Sequence, residues 1–120
     1  MATIMIVDDA VFLRHVLRAI IAETGHTVIA EASNGREAIQ LYMIHKPDLV
    51  TMDITMPDMD GITAVKGILA HHPEAKIIMC SAMGQHKLIL EAIAAGAKDF
   101  IVKPFQSDRV IHAMINVLSS

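Results

Sequence analysis

The sequence has no tryptophan, one tyrosine, three phenylalanines and one cysteine in 120 residues. So few rings leave little with which to stack bases, and ten Lys and Arg against thirteen Asp and Glu give no basic stripe for a phosphate backbone. Nucleic acid is not an expected partner. The lone Cys80, set in the apolar run "KIIMCSA", has no intramolecular partner for a disulfide and reads as a small buried hydrophobe. No apolar stretch reaches the roughly 18 residues that a bilayer requires, so no membrane partner is expected either. The N-terminus lacks a basic segment ahead of its apolar run and meets acid at Asp8, so it does not read as a secretory signal. The expected address is the cytoplasm.

What is present is a chain that is 53% hydrophobic and only 19% charged, of a size that suits one domain over residues 1–120. Four apolar runs are nearly continuous: "TIMIV" (3–7), "LVTM" (49–52), "KIIMC" (76–80) and "FIV" (100–102). Strands covered on both faces of a parallel sheet read this way. A fifth run, "HTVIAEA" (26–32), alternates and suits an edge strand. Between the runs, apolar residues fall at helical spacing: Leu13, Leu17, Ile20 and Ile21; Ala38, Leu41 and Tyr42; Ile62, Val65 and Leu69; Ile89, Ala92 and Ile93; Val110, Ile111, Met114 and Leu118. Gly25 and Gly96 suit helix C-termini, Asn34 and Glu37 have capping-box spacing, and Pro73 closes the third helix. Strand then helix, repeated five times, predicts an open, doubly wound α/β fold with a parallel sheet.

Ligands of such sheets bind beyond the carboxyl ends of the strands. Asp8 and Asp9 follow the first strand there, Asp53 the third, Ser81 the fourth, and Lys103 with Pro104 the fifth. Three converging carboxylates repel one another unless a cation neutralises them, and an all-oxygen set suits a hard divalent ion such as Mg2+. A phosphoryl group can fill the coordination positions left open. Asp53 can act as nucleophile on phosphorus, Ser81 can donate to a phosphoryl oxygen, and Lys103 can pair with another. An isolated Asp-Asp pair is more often a solvated helix cap. Convergence of four strand ends reverses that preference.

The set Asp8-Asp9, "DITMPDMDG" from Asp53, Ser81-Ala82 and Lys103-Pro104 resembles the receiver domain of two-component response regulators, over the whole chain. The resemblance implies a flavodoxin-like (βα)5 fold with strand order 2-1-3-4-5. It implies that Asp53 is phosphorylated by a sensor histidine kinase or a small phosphodonor. Asp9 would then ligate magnesium directly, Asp8 through water, and Thr55 through its backbone carbonyl. Pro57 and Gly61 match loop positions after the phosphorylated aspartate, where glycine suits a special backbone angle or a close approach. The Lys103–Pro104 bond is expected to be cis. Ser81 and Phe100 would be the switch pair, remodelling a face over residues 84–118. Phe100 stands where tyrosine is more familiar, and plain core is its competing reading.

"LVTMDITMPDMDGI", "AKIIMCSAMGQ" and "AGAKDFIVKPFQ" resemble more narrowly the single-domain chemotaxis regulators of Gram-positive and thermophilic bacteria. A flagellar motor switch protein is then the expected recipient and a phosphatase a further partner, with the chain itself a monomer that modifies itself and is not a conventional enzyme. Thr55 stands where the enteric pattern has asparagine, and Met83 where it has an acid. Both bear on dephosphorylation and on phosphatase access. The alternatives are a phosphorelay intermediate passing its phosphoryl group to a histidine phosphotransfer domain, and a receiver cut from a longer regulator. The start at Met1 and the end after a fifth helix weigh against the second. A haloacid-dehalogenase-type phosphatase needs an acid two residues after its nucleophile, and Thr55 occupies that position.

The seven histidines, His15, His26, His45, His71, His72, His86 and His112, show no metal-ligand spacing and read as solvated helix positions. Met5, Met52 and Met79 read as core filler, whereas Met56 and Met83 lie on loops beside the site.

Overall fold

The computed structural model describes all 120 residues. Five strands and five helices alternate: β1 (Thr3–Val7), α1 (Val11–Ala22), β2 (Thr27–Ala32), α2 (Gly35–His45), β3 (Leu49–Asp53), α3 (Gly61–His71), β4 (Ile77–Ser81), α4 (His86–Ala95), β5 (Asp99–Val102) and α5 (Ser107–Leu118). All strand pairs are parallel, in the order β2-β1-β3-β4-β5. The expected doubly wound fold is the one observed.

The two-residue period of a strand divides each apolar run between the faces of the sheet. Met5 and Val7 of β1 join Val50, Met52, Ile77 and Met79 beneath α2, α3 and α4. Ile4 and Ile6 join Leu49, Ile78, Cys80 and Ile101 beneath α1 and α5. Both faces are covered, which is why β1, β3 and β4 are continuously apolar. β5 departs from that expectation. It is the second edge of the sheet, opposite β2, and Val102 is 37% exposed.

The caps show how local chemistry sets the boundaries. Asn34 accepts a hydrogen bond from the Glu37 amide at 2.9 Å, and Glu37 reaches back to accept from the Ser33 amide at 2.7 Å. Asp60 starts α3 in the same manner, accepting from the Thr63 amide at 2.8 Å. Gly96 is the C-cap of α4 with φ 120°, while α1 ends at Ala22 and Gly25 turns the following loop with φ 82°.

Five histidines sit exposed on helices, but His26 and His72 are half-buried between elements. The His26 Nδ1 accepts from the Ala2 amide at 3.0 Å, and His72 lies against Tyr42 with ring centroids 5.0 Å apart. These two are packing residues, contrary to the solvated reading. Met56 is also core, only 8% exposed, whereas Met83 is 78% exposed. No helix is long and apolar enough to cross a membrane.

Candidate functional site

Strand register brings the predicted residues together. Val7 is level with Met52, which sets Asp8 beside Asp53, and Ser81 is level with Val102, which sets Lys103 one step beyond it. The chain leaves β1 for the β2 side and later continues on the β3 side, so these ends flank the topological switch point.

Neither aspartate caps α1. The N-cap is Ala10, without a side-chain hydrogen bond, and Asp8 instead accepts from the Ala10 amide at 2.9 Å while pointing into the site. That local turn fixes the carboxylate. Arg14 donates to the Asp8 carbonyl at 2.6 Å and is itself held by Glu31 at 2.9 Å, with Arg18 as a second partner of the same glutamate. Burial pushes the Glu31 carboxyl up, but the two guanidinium groups outweigh it and hold it below its ordinary value.

Asp8, Asp9 and Asp53 each offer an oxygen, all within 4.8 Å of one another. Asp8 and Asp53 are buried and Asp9 is exposed. The Lys103 ammonium lies 3.1 Å from Asp8 and 3.1 Å from Asp53. Burial, and after it the Asp8 charge, pushes the Asp53 carboxyl up to about 6 despite Lys103. Burial alone would lower the lysine, yet Asp53 and Asp8 keep it above its ordinary value. One ammonium facing three carboxylates leaves an excess of negative charge. The donor set is therefore suited to a hard cation, and the cluster can hold a metal.

Ser81 is fully buried and its Oγ has no hydrogen-bond partner. An unpaired buried hydroxyl at the carboxyl edge of the sheet is free to donate to a ligand there. The Lys103–Pro104 bond is cis, as expected. Pro57 accepts from the Met59 amide at 2.8 Å in the turn after β3. Gly61 is required for close approach and not for a positive φ: a Cβ there would lie 2.1 Å from the Asp53 carbonyl oxygen. The Gly61 amide donates to the Ile54 carbonyl at 2.7 Å, so the start of α3 presses directly on the end of β3. Phe100 is half-buried against the α4 side of the core, with the Arg109 guanidinium 5.9 Å from its ring centre.

The model of the response regulator receiver domain matches residues 4–115. The chain belongs to the response regulator receiver family. It is a CheY-like receiver domain of two-component signalling. It is 58% identical to the chemotaxis protein CheY of Bacillus subtilis over 97% of both chains, and 59% identical to CheY of Thermotoga maritima over 95% of both. A solved CheX–CheY–BeF3–Mg2+ complex from Borrelia burgdorferi superposes with a TM-score of 0.92 at 40% identity, covering 96% of this chain and 87% of the other.

Two residues that border the site escaped the sequence reading. Arg14 follows no strand end, and its role depends on Glu31 coming alongside. Gln85 hydrogen-bonds both Thr55 and Ala82. The available signal was its position at the start of α4, where a glutamine is a poor helix cap.

Proposed function

We propose that the chain is a magnesium-dependent phosphoacceptor in chemotaxis, with Asp53 as the residue modified. The observation that carries this is the pairing of a buried Asp53 with Lys103 next to the unpaired hydroxyl of Ser81. An Asp53 oxygen attacks phosphorus, and the bond from phosphorus to the donor breaks. The donor, a kinase histidine nitrogen or the acetate oxygen of acetyl phosphate, leaves with the electron pair. Lys103 pairs with one phosphoryl oxygen and Ser81 donates to another. Water later returns the carboxylate and inorganic phosphate.

Asp8, Asp9 and Asp53, with the Thr55 carbonyl, would hold Mg2+, which supplies charge neutralisation at the phosphoryl oxygens. Asp8 is already engaged by Lys103 and by the Ala10 amide, whereas Asp9 is exposed and has no protein partner. That contrast supports direct ligation by Asp9 and a water-mediated role for Asp8. The Borrelia CheX–CheY–BeF3–Mg2+ complex supports both the ion and a dedicated partner protein.

The signal leaves through Ser81 and Phe100 to the face built by α4, β5 and α5. Met83, Leu90, Phe100 and Val102 line a groove of about 430 Å³ there, and Met83 and Leu90 are 78% and 70% exposed. The partners are a sensor histidine kinase upstream, the flagellar motor switch downstream and a phosphatase that resets the chain, which acts as a single monomeric domain in the cytoplasm. Incubation with acetyl phosphate and Mg2+, followed by intact mass measurement, tests the reading. The wild-type chain gains one phosphoryl group and Asp53→Asn gains none; equal gain in both defeats the assignment.

A further inference from the structure

One side chain spans the two loops that border the site. Gln85 Oε1 accepts from the Ala82 amide at 2.7 Å, and its Nε2 donates to Thr55 Oγ1 at 3.0 Å. The Ala82 amide can only donate, so the carboxamide has a single orientation; reversed, two donors would face each other. Gln85 occupies the N-cap of α4 yet makes no capping bond. Its hydrogen-bonding capacity serves the loops instead of the helix. Around it the loop is otherwise loosely held, with Met83 78% exposed and nothing within 4 Å of where a Gly84 side chain would begin.

We infer that Gln85 is a positioning residue for phosphoryl transfer, a latch that ties the loop after Ser81 to the loop after Asp53 and holds the resting arrangement. The inference rests on the reading of Asp53 as phosphoacceptor. In the latched arrangement the Ser81 hydroxyl is unpaired. Ser81 is fully buried, so carrying its hydroxyl to a phosphoryl oxygen on Asp53 is inferred to draw on the loop after β4, whose Ala82 amide is the one Gln85 holds. Gln85 therefore opposes the phosphorylated arrangement. Thr55 is the second anchor of the latch, so this side chain restrains the loop as well as bordering the acceptor. The covalent step is unchanged: Asp53 bonds to phosphorus and acetate departs from acetyl phosphate with the electron pair.

The test uses the full chain as wild type, Gln85→Ala, Thr55→Val and the double variant, with acetyl phosphate and Mg2+. Phosphoryl gain is followed by intact mass over a range of donor concentrations. Removing the latch with Gln85→Ala is expected to raise the maximal rate about fivefold, the effect of losing the one net hydrogen bond to the Ala82 amide that the phosphorylated arrangement must break, with the half-saturating donor concentration unchanged. Thr55→Val, which cuts one anchor, gives a smaller rise, and the double variant matches Gln85→Ala. The Ala82 amide resonance shifts in Gln85→Ala before any donor is added. Should Gln85→Ala fold poorly, Gln85→Met keeps the apolar stem and makes the same cut.

Rates equal to or below wild type in the latch variants, while wild type is phosphorylated on Asp53, overturn the latch. An unmoved Ala82 resonance overturns it as well. A wild-type chain that gains no mass, or gains it equally in Asp53→Asn, overturns the phosphoacceptor reading instead, and the resonance still reports on the latch.

Discussion

The Lys103 ammonium lies 3.1 Å from Asp53 Oδ1, and still the Asp53 carboxyl is pushed up to about 6. Burial and the adjacent Asp8 charge outweigh the lysine. The site thus holds more negative charge than its own cation can balance, and stability should respond both to protons and to added metal.

The proton response has a definite sign. Asp53 titrates from 3.8 in the unfolded chain to about 6 in the folded one, so the folded state binds this proton more tightly. The stability it provides is complete below the unfolded value and is lost as pH rises through 6. Asp53→Asn removes the charge and keeps the shape. Without metal, the variant is expected to exceed wild type in stability at pH 7.5 by about 2 kcal/mol after solvent screening, with the difference closing as pH falls toward 4. Urea denaturation at several pH values measures this; a gap independent of pH contradicts it.

Magnesium should supply at neutral pH what the proton supplies in acid. An ion at about 100 times its dissociation constant adds about 2.7 kcal/mol to wild-type stability. Asp9→Asn is expected to lower the ion's affinity by about tenfold or more while leaving metal-free stability nearly unchanged, because Asp9 is exposed and unpaired. Asp8→Asn differs, since it also breaks the Lys103 pair. Titration of the melting temperature with MgCl2 separates the two, and an Asp9→Asn response equal to wild type would remove Asp9 from the ligand set.

Gly61 couples α3 to Asp53 by contact with backbone. Gly61→Ala places a methyl 2.1 Å from the Asp53 carbonyl oxygen, where no flexible side chain can give way. A cost of about 3 kcal/mol is expected, together with slower phosphorylation as Asp53 is displaced. Gly84→Ala is the contrast. It meets open space but sits at φ +87°, so it costs about 1 kcal/mol in strain without touching Asp53. Equal phosphorylation rates in the two variants would disprove the coupling.

These relationships divide into what a linear pattern can carry and what it cannot. Asp8, Asp53, Ser81 and Lys103 were legible because the end of a strand is visible as the end of an apolar run, and a parallel sheet puts all such ends on one edge. The strand order came from resemblance, since apolar runs do not say which neighbour each will pair with. The apolar run "FIV" by itself reads like a central strand; the edge position of β5 followed only from the order that the resemblance implied, and the structure bears it out with Val102 lying open. For Gly61 the sequence admitted two reasons, and only the distance to the Asp53 carbonyl selects between them. Gln85 was invisible because its partners, Thr55 and Ala82, belong to different loops and share no period with it.

Ser81 separates stability from activity most cleanly. Its Oγ is fully buried without a partner, so the folded state carries the desolvation cost of a hydroxyl and receives no bond for it. Ser81→Ala relieves that cost at the loss of one small atom and is expected to leave stability unchanged or raised by about 1 kcal/mol. On the proposed mechanism the hydroxyl donates to a phosphoryl oxygen, and its removal should slow phosphoryl gain by at least about tenfold. Thr51 provides the control, because its Oγ1 is likewise buried and unpaired. Thr51→Val should raise stability by a similar amount while leaving the phosphorylation rate alone. Paired denaturation and acetyl phosphate kinetics on the two variants decide the matter. If Ser81→Ala and Thr51→Val behave alike in both measurements, the unpaired hydroxyl of Ser81 is a packing imperfection and not a phosphoryl donor.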